Sequence, residues 1–149
     1  MNYKKNLSWI LVITWMAVIF LLSAQPANDS ASLSTGITDW IYQLLINVFP
    51  NLNIETLHLI IRKLAHFTIY LVLGFLLLNA LSHNEQKQST NFVLALLVSS
   101  LYAISDEIHQ VFVSGRAGQI SDVLIDIIGS LIGIYGYVMF NKFIKKWKD

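Results

Sequence analysis

The sequence predicts an all-α integral membrane protein, a bundle of four transmembrane helices with a short amphipathic helix in the first outer loop. Three observations favour this fold class. Only 13% of the 149 residues are charged and 55% are hydrophobic, whereas soluble domains carry about 25% charged residues. Mean hydropathy is +0.58, and the few charges divide the chain into four apolar blocks. This balance disfavours a soluble enzyme, a disordered regulator and a nucleic-acid binder, so no nucleic-acid partner is expected.

Each apolar block approaches the length of a membrane-spanning helix, because about 20 residues are needed to cross about 30 Å of hydrocarbon. The predicted spans are 7–24, 64–82, 91–112 and 122–141, all within one domain covering residues 1–149. We expect the first block to remain as a span rather than to be removed as a signal peptide, since its apolar part exceeds the usual length of about 7–15 residues. The chain contains no cysteine, which excludes disulfides, thiolate metal ligands and cysteine nucleophiles.

The basic residues predict the orientation, because Lys and Arg concentrate in cytoplasmic segments. With the amino terminus in the cytoplasm, the inner segments hold Lys4, Lys5, Lys87, Lys142, Lys145, Lys146 and Lys148. The outer segments then hold Arg62, Lys63 and Arg116. Both termini are therefore predicted to be cytoplasmic.

The outer loop between the first two spans contains two kinds of sequence. Residues 25–34 are rich in Ser, Asn, Asp and Pro, which predicts a turn region. Apolar residues from Ile37 to Phe49 then recur at the spacing of an amphipathic helix, which Pro50 should end. This helix either lies on the outer interface or over the bundle, or it forms a lid over a site at the outer face.

Polar and ionisable residues inside the predicted spans collect at one depth, near their outer ends. Such residues are costly in a bilayer and usually mark function. They occur on three of the spans: His66; Asp106, Glu107, His109 and Gln110; and Asp126. Arg62, His66 and Tyr70 are four residues apart, as are Asp122 and Asp126, so each set shares one helix face. These positions predict a polar pocket within the bundle at the outer face.

The loop before the last span resembles an anion site, because Gly115 and Arg116 lie in a flexible turn that leads into a helix. Ser121 is the predicted N-cap of that helix. Further along, Gly129 and Gly133 form a GxxxG pattern that permits close helix packing. Gly74 and Gly136 are expected near the same contact.

The candidate site residues fall into two groups. The candidate catalytic residues are His66, His109, Asp106 and Asp126. The candidate ligand-binding residues are Arg62, Lys63, Tyr70, Glu107, Gln110, Gly115, Arg116 and Asp122. No metal or other cofactor is predicted. A divalent ion is one alternative. The helical spacings of Asp106 with His109, and of Asp122 with Asp126, allow these residues to bind one ion, and His66 could be a further ligand. The other alternative is an ion-pair network that holds the bundle together.

Two long motifs and a short one carry a resemblance to a known family. Arg62–Phe75 reads RKLAHFTIYLVLGF, Ser105–Gly129 reads SDEIHQVFVSGRAGQISDVLIDIIG, and Ser23–Pro26 reads SAQP. Together they resemble the motifs of the VanZ-like membrane protein family, in the same order. The resemblance implies a multi-pass protein of the bacterial cytoplasmic membrane that acts in the cell envelope. The family takes its name from a protein associated with resistance to the glycopeptide teicoplanin.

Three functions remain open on the sequence. The first is recognition of an anionic or lipid-linked ligand, such as a lipid-linked cell-wall precursor, without catalysis. The second is an enzyme acting on a lipid-linked phosphate, in which the Arg and Lys side chains hold the phosphate and a His–Asp pair moves a proton. The third, a transporter or proton path, is disfavoured because polar groups are not expected in the cytoplasmic half. The expected partner is the lipid bilayer, and a partner protein is left open as an alternative ligand of a non-enzymatic factor.

Overall fold

The protein is an all-helical bundle in the computed structural model, which describes residues 3–147 and, for residues 28–34, the backbone alone. Within this part of the chain there are five α-helices and no strand: α1 Tyr3–Ser23, α2 Ala27–Leu45, α3 Ile54–Leu81, α4 Gln88–Val111 and α5 Ile120–Lys146. All except α2 are long and apolar enough to cross a membrane. The predicted fold class, with four candidate spans and one further helix between the first two, is confirmed. Lys148, one of the predicted inner basic residues, lies outside the described part.

Helix α3 begins ten residues before its predicted span, at Ile54 rather than at residue 64. The Asn53 side chain caps it, since Oδ1 accepts the backbone N–H groups of Glu55 at 2.7 Å and Thr56 at 3.4 Å. The acidic side chain of Glu55 in the first turn also suits the positive end of the helix dipole. Because the helix extends past the apolar block, Arg62 and Lys63 lie on a helix and not in a loop.

Helix α2 differs from prediction at both ends. It begins at Ala27, directly after Pro26, so the predicted turn region of residues 25–34 is mostly helical. The backbone N–H of Ala27, which is free at a helix start, donates to the carbonyl of Ser114 at 3.2 Å. The helix ends at Leu45, so the apolar residues 48 and 49 lie in the following turn. Pro26 fixes an extended backbone at the entry, which favours a helix start there.

The apolar face of α2 is not buried by the rest of the protein. The helix packs against α3, whereas Ile37, Trp40 and Leu44 remain exposed. A helix with such an apolar face is suited to the boundary between hydrocarbon and headgroups.

Helices α3 and α5 form the most extensive helix pair of the bundle. Gly129 and Gly133 of α5 permit this contact, because a Cβ atom at Gly129 would overlap the carbonyl oxygen of Phe67 and one at Gly133 would overlap that of Leu71. The GxxxG pattern therefore brings two backbones together, as predicted.

Gly74 completes the contact from the α3 side, since a Cβ atom there would overlap the carbonyl oxygen of Ser130. Gly136, which was expected near the same contact, has nothing within 4 Å of its position for a Cβ atom. The prediction for Gly136 is therefore wrong, because the helix rotation carries this residue off the α3-facing side.

Helices α1 and α4 pack against the central pair, and directed hydrogen bonds join α1 to α3 and α4 to α1. The Trp15 indole N–H donates to the Ile69 carbonyl at 2.8 Å, and the Tyr102 hydroxyl donates to the Met16 carbonyl at 2.6 Å. The buried apolar core includes Val12, Ile19, Tyr70, Leu73, Leu77, Leu78, Ala95, Ala103 and Ile134. This layer occupies the middle of the bundle and separates two polar ends.

Candidate functional site

The ionisable residues predicted on three helices do converge at one end of the bundle. This is the end that holds the α4–α5 loop, residues 112–119, and it is named here the Arg116 end. Among the side chains that the structure describes, five carboxyl and imidazole groups are buried there: His66, Asp106, Glu107, Asp122 and Asp126. They come from α3, α4 and α5, the three helices on which the sequence placed them.

His66, Glu107 and Asp126 lie together and are named here the His66 cluster. Each offers one ligating atom, and these atoms all lie within 4.8 Å of one another. His66 Nδ1 is 3.5 Å from Asp126 Oδ1, with Asp126 fully buried and His66 9% exposed. Neither His66 Nδ1 nor either Asp126 oxygen makes a hydrogen bond to a described residue. The cluster therefore holds unmatched polar atoms in a place where they are costly.

Arg62 and Lys63, named here the rim cations, share the buried carboxylate of Asp122. Lys63 Nζ is 3.0 Å from Asp122 Oδ1 and Arg62 Nη2 is 3.7 Å from Oδ2. Their side chains are 41% and 40% exposed, against 3% for that of Asp122. The two positive charges are therefore the accessible part of this group, whereas the negative charge of Asp122 lies beneath them.

Gln110 links the carboxylates of α4 to the neighbouring loop. Its Nε2 donates to Asp106 Oδ2 at 3.4 Å and to Glu107 Oε1 at 3.3 Å. Its Oε1 accepts from Arg116 Nη1 at 3.3 Å. Gln110 is fully buried, so it bridges these groups inside the protein.

Arg116 is occupied by protein groups, which differs from its predicted role as an anion ligand. Its Nε donates to the Gln25 carbonyl at 2.9 Å and its Nη2 to the Leu22 carbonyl at 3.2 Å. It thus satisfies carbonyls that the end of α1 leaves free. Gly115, with φ of 74°, adopts the left-handed turn that aims this side chain. Burial, and secondarily the neighbouring Arg62, lowers the pKa of the Arg116 guanidinium.

The amino end of α5 already holds an anion from the protein itself. Glu107 Oε2 accepts the backbone N–H of Gln119, the N-cap residue, at 2.8 Å. The predicted N-cap, Ser121, instead lies inside the first turn and donates to Asp122 Oδ1 at 3.2 Å. The prediction for Ser121 is therefore wrong, because a carboxylate from α4 caps the helix. Sequence spacing gives no signal for this contact, since its partners lie on different elements.

His109 lies apart from the other candidate catalytic residues, whereas Tyr70 is buried one turn from His66 on α3, as its spacing predicted. The His109 ring packs at a tilt against Phe20, with centroids 4.7 Å apart, and it is not part of the His66 cluster. Tyr70 is fully buried beside Tyr102, with ring centroids 6.4 Å apart. Its hydroxyl has no hydrogen-bond partner among the described residues. Of the predicted His–Asp pairings, the structure brings together His66 and Asp126.

Comparison with known proteins identifies the family. The sequence profile described as VanZ/LLP1 matches residues 8–141, most of the chain and both long motifs. The chain belongs to the VanZ/LLP1 family. No curated protein and no solved structure matches the chain.

The opposite end of this VanZ/LLP1 protein, which holds residues 82–87 and is named here the His83 end, is also polar. Ser8 Oγ lies 3.1 Å from His83 Nε2 and accepts from Asn79 Nδ2 at 3.1 Å. A cavity of about 220 Å³ lies there, with lining residues that include Asn91 and Lys142. The expectation that this half lacks polar groups is therefore wrong, although the apolar middle layer separates the two ends.

Proposed function

We propose that this VanZ/LLP1 protein recognises the phosphorylated headgroup of an anionic or lipid-linked ligand at the Arg116 end. The observation that carries the proposal is the pair of rim cations, which share one carboxylate and keep about two-fifths of each side chain exposed. Arg and Lys donors of this kind form strong, charge-assisted bonds with phosphate oxygens.

The position of the rim cations along α3 supports a ligand at the headgroup level. From Arg62 to Leu81 the helix rises about 30 Å, which equals the thickness of the hydrocarbon core. The preceding residues of α3, from Ile54, extend beyond that thickness. Arg62 and Lys63 therefore stand where lipid phosphates lie if the apolar part of α3 fills the bilayer.

The burial of the polar groups beneath the rim favours a ligand that contacts the protein surface over one that enters the bundle. Asp122, Asp126 and Gln110 are essentially inaccessible, so a headgroup contacts the rim and not these groups. We accordingly place the ligand on the rim cations, where its phosphate competes with the Asp122 carboxylate for their positive charge.

The orientation proposed for the chain places this end outside the cytoplasm. It rests on the excess of basic residues in the segments assigned to the cytoplasm. A site at the outer face of the bacterial cytoplasmic membrane suits a lipid-linked cell-wall precursor. Because the chain has no cysteine, Asn51→Cys and Glu85→Cys provide single labelling sites at opposite ends. A membrane-impermeant maleimide applied to intact cells should label Asn51→Cys alone, and the reverse pattern would overturn the orientation.

Binding of a polyprenyl monophosphate, compared with the corresponding polyprenol, tests the ligand proposal. The protein is placed in detergent micelles and the bound lipid is measured by native mass spectrometry. Loss of charge-assisted bonds predicts that the double variant Arg62→Gln, Lys63→Gln binds the phosphate at least about tenfold more weakly, with polyprenol binding unchanged. The control is the double variant Lys142→Gln, Lys145→Gln, which removes the same charge at the His83 end. Equal affinities of the two double variants for the phosphate would overturn the proposal.

A membrane enzyme acting on a lipid-linked phosphate, by transfer or hydrolysis, is the second candidate. The observation that favours it is the approach of His66 Nδ1 to Asp126 at 3.5 Å, which suits an oriented proton acceptor. Phosphate release from the same polyprenyl monophosphate distinguishes the candidates. An enzyme loses release in His66→Ala while it still binds the lipid, whereas a recognition protein releases no phosphate in either form.

Teicoplanin resistance or general envelope upkeep is the cellular role that we propose from family membership. Cells that lack the chromosomal copy and carry either the wild-type protein or the rim double variant provide the test. A contribution to resistance requires a higher inhibitory concentration of teicoplanin with the wild-type protein than with the rim variant. Equal inhibitory concentrations would exclude a rim-dependent contribution and leave envelope upkeep.

A further inference from the structure

We propose that His66, Glu107 and Asp126 bind one divalent transition-metal ion inside the bundle. The chemistry of the site, one imidazole and two carboxylates, suits Zn²⁺ and also Mn²⁺. This inference goes beyond lipid recognition and does not rest on it. The three residues come from three helices, so the ion would bind α3, α4 and α5 together at one level.

The distances within the His66 cluster fit a shared ion better than a direct ion pair. His66 Nδ1 and Asp126 Oδ1 lie 3.5 Å apart, which is longer than a good N–H···O⁻ bond of about 2.7–2.9 Å. Two ligands bound to one tetrahedral Zn²⁺ at about 2.0–2.2 Å lie roughly 3.3–3.6 Å from each other. The separation of this pair is therefore that of two ligands on a common ion.

Glu107 lies close enough to supply the third ligand after a small movement. Its ligating oxygen falls within 4.8 Å of the other two atoms, so a shift of about 1 Å brings it to coordination distance. Its Oε2 accepts the Gln119 backbone N–H at 2.8 Å. Its Oε1 accepts from Gln110 Nε2 at 3.3 Å. These bonds orient the carboxylate, and each oxygen keeps a second lone pair that a metal can take.

The buried polar atoms of the cluster provide an independent reason for an ion. Both Asp126 oxygens and His66 Nδ1 lack hydrogen-bond partners among the described residues, although Asp126 is fully buried. Asp122, one turn away, has two cations beside it, and Asp106 accepts from Gln110. Asp126 and Glu107 together carry two negative charges. Protonated His66 is the one described cation that lies as close to them, and it neutralises one of the two. A divalent ion neutralises both and satisfies the unmatched atoms.

This ligand set differs from the one left open on the sequence. The helical spacings there suggested Asp106 with His109 and Asp122 with Asp126 as the main pairs. Among the residues that the structure describes, it groups His66, Glu107 and Asp126, while His109 packs against Phe20. Three protein ligands leave further coordination positions for water.

Metal content of the purified full-length protein tests the inference. The protein is prepared with a tag that contains no histidine, from cells grown with added Zn²⁺ and Mn²⁺, and is analysed by mass spectrometry for metals. The expected result is about one equivalent of one divalent metal per chain. After removal of metal by a chelator, titration with Zn²⁺ alone should raise the thermal unfolding midpoint in proportion to occupancy. Wild-type protein with below about 0.1 equivalent and no Zn²⁺-dependent shift would overturn the inference.

Matched variants assign the ion to the cluster. Asp126→Asn keeps the side-chain shape and should reduce Zn²⁺ affinity at least about tenfold, as should His66→Ala. The matched controls are Asp122→Asn on α5 and His58→Ala on α3, which replace the same residue types outside the cluster. Both variants should retain the ion. Circular dichroism and gel filtration identify variants that are folded. Retention of wild-type Zn²⁺ affinity by folded Asp126→Asn would overturn the assignment, whatever the lipid-binding assay shows.

Discussion

Replacing Gly133 by alanine tests whether the close approach of α3 and α5 holds the bundle together. The added methyl group would overlap the Leu71 carbonyl oxygen and lie 2.8 Å from the carbonyl carbon. Ordinary contact starts at 3.4 Å, so the helices have to separate locally by at least about 0.6 Å. Both contacted atoms belong to the backbone, which cannot yield as the tip of a flexible side chain can.

The expected cost is that of overpacking a well-packed core, about 1–3 kcal/mol in the free energy of unfolding. At about 2–4 °C per kcal/mol for a chain of this size, the unfolding midpoint should fall by roughly 2–12 °C. Tryptophan fluorescence during heating in detergent measures it, since the chain contains 4 tryptophans.

Gly136→Ala is the matched control, because it makes the same change in the same helix where a Cβ atom meets nothing within 4 Å. Alanine favours helix by up to about 1 kcal/mol relative to glycine, so this midpoint should stay the same or rise. A Gly133→Ala midpoint equal to that of Gly136→Ala would refute the packing argument.

Three further predictions use the same preparation. Arg116→Lys should lower the free energy of unfolding by about 1–3 kcal/mol. An ammonium group does not reproduce the planar guanidinium that bonds to Gln25, Leu22 and Gln110. An unchanged thermal midpoint contradicts this prediction. Trp15→Phe should cost about 0.5–1.5 kcal/mol through loss of the bond to the Ile69 carbonyl, and a midpoint equal to that of the control Trp9→Phe counts against it. Asp122→Asn frees the rim cations and should tighten polyprenyl monophosphate binding about two- to fivefold, so weaker binding by the folded variant contradicts the role of the rim.

The four apolar helices were predictable because charge placement along the chain reflects the low polarity of a bilayer. The residues at which the helices begin were harder to predict from the sequence, and α3 shows why. Residues 54–63 contain Glu55, His58, Arg62 and Lys63, so hydropathy alone treats this stretch as loop. Its helical state follows from the Asn53 cap and continuity with the span.

The convergence of polar residues at one end was predictable from their depth, but their partners were not. Asp106 and Glu107 are neighbours, and a rotation of α4 decides which one approaches His66. Packing fixes that rotation and selects Glu107. Likewise, sequence indicated that Arg116 lies in a turn, whereas its hydrogen bonds to the end of α1 depend on three-dimensional proximity.

The hydrogen bonds of α1 fix its register against the bundle at three heights. Ser8 contacts Asn79 and His83 at one end, Trp15 bonds to α3 in the middle, and the Leu22 carbonyl accepts from Arg116 at the other end. An axial displacement of half a helical turn, about 2.7 Å, breaks all three contacts together. Sliding of α1 is therefore an all-or-none event, and smaller adjustments at the Arg116 end have to come from side-chain motion or from the other helices.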